Sequence, residues 1–292
     1  MQPASLLATI NEQHGTTFAL AERYPDGESR MGTYAVIDAT GRRGVLQWNP
    51  DPNPALVDRQ REIGAATARL RERGYPAPLY WVVGRTSAAC YSIQEMLPGI
   101  PLRTVTPALV PRLMGLNALQ KGQAIPHRQD WPDRVVDTVL YGGDGYCLLE
   151  PLRTYSAQTA ELLATLQDLV ARHRDERYET ADLVHFDFNP ANILVQDGVI
   201  SGVIDWQDPC SGDCAFDLVT LLFYAWDAPA VRDQLWQHTL GRVGPAVLAD
   251  YLAHLILRQV DWSIRHHGPQ VTASWLRRAR EILARCSTPG AM

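Results

Sequence analysis

Residues 183–218 read LVHFDFNPANILVQDGVISGVIDWQDPCSGDCAFDL. Two short β-rich runs, 193–195 and 199–204, flank Asp197-Gly198. Asp-Gly between two such runs is the strongest short-range sign of a tight hairpin. Polar residues crowd both open ends of that hairpin. His185, Asp187 and Asn192 precede the first strand, and Asp205 follows the second.

This layout suits phosphoryl transfer. The moving group carries charge on its outer oxygens, so a divalent metal must neutralise it, held by carboxylate and amide oxygens. A separate carboxylate must meet the attacking hydroxyl. Asp187 lies five residues before Asn192, so it can serve the hydroxyl while Asn192 turns to the metal. Asp205, at the far end of the hairpin, returns to the same place. A buried hairpin with solvated acidic turns is the structural alternative.

HFDFNPANIL followed by VIDW resembles the catalytic segment of the aminoglycoside phosphotransferase and choline kinase family, protein-kinase-like kinases of small molecules. DPCSGDCAFDL resembles that family's next motif. The resemblance implies that Asp187 is the catalytic base and that His185 shapes its loop. It also implies that Asn192 and Asp205 bind Mg²⁺ and that Asp217 braces the loop. Phe186 and Ala191 stand where the family usually has Gly, Asn189 where His is common, and Cys214 where Pro is usual.

A chain of 292 residues can bury one large core or two lobes. Its formal net charge of −5 gives no sign of nucleic-acid binding and would suit a cationic small molecule, although surface acidity also serves solubility. Lys121 is the only lysine. Cys90, Cys147, Cys210, Cys214 and Cys286 are odd in number and scattered, which fits free thiols in a reducing cytoplasm. The N-terminus lacks a signal-peptide pattern, and the longest apolar-rich run, 218–226, is too short to span a bilayer. The expected location is the cytoplasm, without a membrane partner.

The N-terminal part begins with a short helix at 5–14, then strands at 16–22, 33–37 and 45–48. The turn between the first two strands holds Gly27, Ser29 and Gly32, whose backbone N–H groups can cover nucleotide phosphates. An ordinary hairpin turn has the same composition. The family's third strand ends Val-Leu-Lys, its lysine on the nucleotide phosphates. Here it ends Val45-Leu46-Gln47, and Gln47 can donate a hydrogen bond but supplies no charge. Arg42, Arg43 or a second metal ion is left to supply it. Glu62, on a helix expected at 59–73, would pair with that strand residue or with an arginine. Strands at 80–83 and 89–95 lead into Met96-Leu97-Pro98-Gly99, which resembles the family's hinge. The backbone of Glu95, Met96 and Leu97 would then bind adenine.

The rest reads as mainly helical. Helices are expected at 107–119, 132–141, 156–173, 218–226, 231–240, 245–267 and 272–284, with breaks at Gly241, Gly244 and Gly268-Pro269. Ser156 is placed to cap its helix. Asp208, Asp227, Asp261 and Trp262 are candidate substrate contacts, with core or surface placement as the alternative for each. The resemblance implies an α+β, bilobal, protein-kinase-like fold, with a nucleotide-binding lobe at 1–97 and a catalytic and substrate-binding lobe at 98–292. ATP (or GTP) would lie between the lobes.

The expected activity is ATP-dependent phosphotransfer to a hydroxyl of a small cationic antibiotic, an aminoglycoside or a basic peptide, giving resistance. A metabolite kinase of choline, homoserine or sugar type is one alternative. A nucleotide-binding pseudokinase, suggested by Gln47, is another.

Overall fold

The computed structural model describes residues 2–23, 32–125 and 131–287. In chain order, α1 (Pro3–His14) precedes strands β1 (Ala19–Arg23), β2 (Gly32–Ile37) and β3 (Arg43–Asn49). Helix α2 (Pro54–Glu72) leads to β4 (Tyr80–Arg85), β5 (Cys90–Glu95) and the short β6 (Ile100–Pro101). Helices α3 (Val110–Leu119), α4 (Asp133–Tyr141), α5 (Leu149–Tyr155) and α6 (Ala157–Ala171) follow. Then come β7 (Asp182–Val184), β8 (Ile193–Gln196), β9 (Val199–Val203) and β10 (Cys210–Gly212). The chain closes with α7 (Ala215–Tyr224), α8 (Pro229–His266) and α9 (Pro269–Cys286).

These elements form two compact units, one of residues 1–102 and 191–207, the other of residues 103–190 and 208–292. The single cut expected after residue 97 is replaced by three chain crossings. The hairpin belongs to the first unit because β8 pairs with β6 as well as with β9.

The first unit is built on an antiparallel sheet in the order β1-β2-β3-β5-β4. Its core joins Leu6, Leu7 and Ile10 of α1 to Val36, Leu46, Val82, Tyr91 and Ile93 of the sheet. Helix α2 starts five residues before the expected position. Asn53 accepts the Ala55 N–H at 3.0 Å, with Pro54 following it at the first turn, a strong N-terminal signal. In the hairpin, Asp197 and Gly198 both have positive φ, 52° and 75°, as the expected two-residue turn requires.

The second unit is mainly helical and holds the two-stranded β7–β10 ladder. Ser156 caps α6 in a reciprocal box with Thr159. Helix α5 was not foreseen, because it is only seven residues long and has no side-chain cap at its start. Helix α8 breaks at Gly244 (φ 79°, ψ 169°), whereas Gly241 stays helical. The proline at 245 explains the difference. It drives the residue before it out of the helical region, while an isolated Gly costs a helix only about 1 kcal/mol. By length and composition α8 alone, among the described residues, could cross a membrane, and 61% of its apolar window is buried in the core. All five cysteines are free thiols, four of them buried.

Candidate active site

The loop after β7 is tied to the buried carboxylate of Asp217, in the first turn of α7. Asp217 accepts the His185 N–H at 2.8 Å, the Phe186 N–H at 3.0 Å and a Gln120 side-chain N–H at 2.6 Å. Burial pushes its carboxyl up to about 7 against the pull of those bonds. The His185 ring accepts the Asp187 N–H on Nδ1 at 3.3 Å. That contact requires a lone pair on Nδ1, so the proton of the neutral ring sits on Nε2.

Phe186 has φ of +72°, a conformation that costs a bulky residue about 1–2 kcal/mol. Its ring is what compensates. It stacks on Phe216 at a centroid distance of 5.2 Å, and the Arg134 guanidinium lies over it at 4.1 Å. The Phe186 carbonyl accepts from Arg258 at 3.0 Å, and a second nitrogen of Arg258 donates to Asp187 at 2.9 Å.

Asp187 opens onto a cavity of about 520 Å³ lined by residues of the second unit, within the usual range for small-molecule sites. Asp208, Asp261 and Trp262 line it too, beside Arg258 and Arg265. Asp227 does not reach it: that residue is exposed and bonded to Arg278 of α9. Every carboxylate that lines the cavity has an arginine partner. Arg258 pairs with Asp187, Arg134 with Asp208 at 2.8 Å, and Arg265 with Asp261. None of these arginines was foreseen. The usable signal was the charged Arg258 within the otherwise apolar stretch of α8, at i, i+3, i+4 and i+7 with Asp261, Trp262 and Arg265.

In the first unit, the open end of the hairpin is closed by the Ile204 N–H donating to the Asn192 carbonyl at 2.9 Å. Asn192 and Asp205 are therefore neighbours, Asp205 with a positive φ of 66°. Trp206 is buried next to them and donates to the Val203 carbonyl at 2.9 Å. The Asp205 charge also adds to burial in raising the Tyr80 hydroxyl. A carboxylate and an amide oxygen are hard donors of the kind Mg²⁺ takes, so this pair fits that ion.

The remaining nucleotide candidates are also in the first unit. Gly27 and Ser29 lie outside the described residues. The Gln47 side-chain oxygen accepts from Gln94 at 3.1 Å. Arg42, considered as a source of charge, is engaged with Asp38 at 3.0 Å and lies over the Trp81 ring at 4.1 Å. Glu62 sits partly exposed on α2. Along the hinge-like stretch, the Glu95 N–H donates to Leu79 at 2.8 Å and the Met96 N–H to Arg43 at 3.2 Å. The Glu95 carboxylate bonds Arg71. Among the described residues, Leu97 is the one of the three whose N–H meets no backbone carbonyl.

A further cluster, Asp182, Asp213 and Cys214, has metal-like spacing. The Arg242 guanidinium already serves it, at 2.9 Å from the Cys214 sulfur and 3.3 Å from Asp182.

Residues 21–251 match the model of the phosphotransferase enzyme family. Among curated proteins, none matches the sequence. Among solved structures, a thermostable mutant of aminoglycoside phosphotransferase APH(4)-Ia, in ternary complex with ADP and hygromycin B, is similar with a TM-score of 0.69 and 17% identity. The match covers 99% of this chain and 100% of that one. Choline kinase LicA from Streptococcus pneumoniae is similar at 0.67 and 13%, covering 96% and 98%. Amicoumacin kinase hAmiN, in complex with AMP-PNP, Ca²⁺ and Ami, is similar at 0.61 and 16%, covering 97% and 96%. The α+β, protein-kinase-like fold class expected from the sequence is the fold of these structures.

Proposed function

This chain belongs to the phosphotransferase enzyme family, as a small-molecule kinase, and we propose that it moves the γ-phosphate of ATP (or GTP) to a hydroxyl of a compound bound beside Asp187. The observation that carries this reading is the Asp187 loop. A carboxylate is held by Arg258 on a cavity of ligand size, and its backbone is fixed by Asp217.

Asp187 would accept the hydroxyl proton and orient the oxygen for attack. Arg258 keeps that carboxylate in place, and the left-handed Phe186 turns it toward the cavity. Asn192 and Asp205 would hold Mg²⁺, which when bound neutralises phosphate charge. The Leu97 amide would take adenine. Gln47, bonded to Gln94, offers a phosphate at most a hydrogen bond from its amide nitrogen. Nucleoside triphosphate is met in the cytoplasm, which is the location this chemistry implies.

For the acceptor, the hygromycin B and amicoumacin structures support a small cationic antibiotic and a resistance role. Asp208, with 51% of its side chain exposed, is the carboxylate an amine would meet. The choline kinase structure supports a metabolite instead, and the arginines around the cavity favour a metabolite with an acidic group, as in the homoserine type, over a cation such as choline.

The test is γ-phosphate transfer from Mg-ATP to a panel of antibiotics and hydroxylated metabolites, with Asp187→Asn as the control. Loss of a positioned base is expected to cut kcat by about 10²–10⁴-fold. Unchanged turnover in that variant would remove Asp187 from its role, and Mg-ATP binding without transfer to any acceptor would support a pseudokinase.

A further inference from the structure

One face of α8 borders the cavity beside Asp187. Arg258, Asp261, Trp262 and Arg265 follow the i, i+3, i+4, i+7 spacing of a single helix face, and all four line it. The group this face presents is not the Asp261 carboxylate. That side chain is 1% exposed, and both of its oxygens accept from Arg265, each at 2.8 Å. Arg265 itself is 24% exposed. Two of the five guanidinium N–H groups serve Asp261, which leaves three for a ligand. The buried carboxylate thus acts as a backing that fixes the guanidinium plane. Trp262 flanks it, with its ring centroid 5.7 Å from the Arg265 guanidinium carbon.

A planar guanidinium fixed from behind matches a carboxylate, which it can grip through two parallel bonds. A polycation without an acid group would meet two guanidiniums here and satisfy neither. We propose that Arg265, backed by Asp261, is a carboxylate subsite, so that the acceptor of this phosphotransferase is a hydroxyl compound bearing a carboxylate. This inference rests on the kinase reading above and names its substrate class. Arg258, which holds Asp187, and Arg265 are seven residues apart, about 10 Å along the helix. The hydroxyl and the carboxylate must therefore lie several bonds apart, as in a hydroxylated peptide and unlike a short hydroxy acid. Asp208 remains for an amine on the same molecule.

The probes are serine-containing dipeptides and tripeptides, each as the free acid and as the C-terminal amide, beside hygromycin B and choline, which carry no carboxylate. ADP release measures transfer by the full chain, and tryptophan fluorescence measures binding. The free acids are expected to show KM values about tenfold or more below their amides. Arg265→Gln should erase that difference, and Arg265→Lys should restore part of it. Because Arg265→Gln strands a buried carboxylate, the double variant Arg265→Gln/Asp261→Asn, which removes both charges, repeats the test in a neutral background. Equal KM values for acid and amide, a preference for hygromycin B or choline, or no binding of any free acid would overturn the subsite. Free acids that bind tightly but never receive phosphate would leave the subsite standing and overturn the kinase reading.

Discussion

Phe186 shows two opposing effects at one residue. Its backbone is in the left-handed region, where glycine is at ease, while its ring is buried against Phe216 and under Arg134. Phe186→Gly removes about 1–2 kcal/mol of strain but also a buried aromatic ring, whose loss costs about 3–5 kcal/mol. Phe186→Ala keeps the strain and loses the ring. Chemical denaturation should therefore rank stability as wild type, then Gly, then Ala, with Gly about 1 kcal/mol above Ala. If Ala equals or exceeds Gly, the strain at the positive φ is no larger than the extra chain entropy that Gly loses, about 0.5–1 kcal/mol. The sequence already marked this position as one of two, with Ala191, where the resembling family usually has glycine. What it hid was the partner: Phe216 is thirty residues away, and only the fold of α7 brings it beside Phe186.

At the scale of the element, α8 sets both the cavity and part of the pH response. His254 on α8 is buried, and its imidazole is pushed down to about 3, first by burial and then by Arg258 and Arg134. The folded state keeps this ring neutral, while the unfolded chain takes a proton below about 6.5. Its contribution to stability is complete above that pH and is lost as pH falls toward 3. Asp217 has the opposite sign: its raised carboxyl keeps a proton that the unfolded chain has released, so its contribution fades as pH rises through about 7. His254→Phe isolates the first effect. The stability gap between wild type and variant should narrow as pH falls from 6.5 to 4, by at most about 1.4 kcal/mol per unit. A gap constant across urea denaturations in that range would mean that His254 takes up its proton while folded. Most of α8 was legible, because its apolar period and the Gly244-Pro245 break are local signals. The arginines were not, because an arginine on a helix reads as solvent-facing until tertiary packing sets a carboxylate opposite it.

Over the whole molecule, the hairpin at 193–203 was the most legible part and the allocation of residues to units the least. Asp187 and Asn192 are five residues apart, yet the boundary falls between Pro190 and Ala191. Sequence proximity brought the two residues together but could not show that the hairpin strands return to β6 and to Pro76, whose carbonyl accepts the Val203 N–H at 2.8 Å. A fragment of residues 1–102 lacks those strands. It is expected to give a broad thermal transition with no cooperative step, while the same fragment joined through a flexible linker to 191–207 should melt cooperatively. A sharp melt of 1–102 alone would show that the hairpin is dispensable.

The three crossings of the backbone also bear on how such a chain can change over time. A gene exchange with one breakpoint would divide at least one unit between two parents, so shuffling is a poor route to a new specificity. A substitution within one unit leaves the other whole, and the cavity beside Asp187 is lined by residues of a single unit.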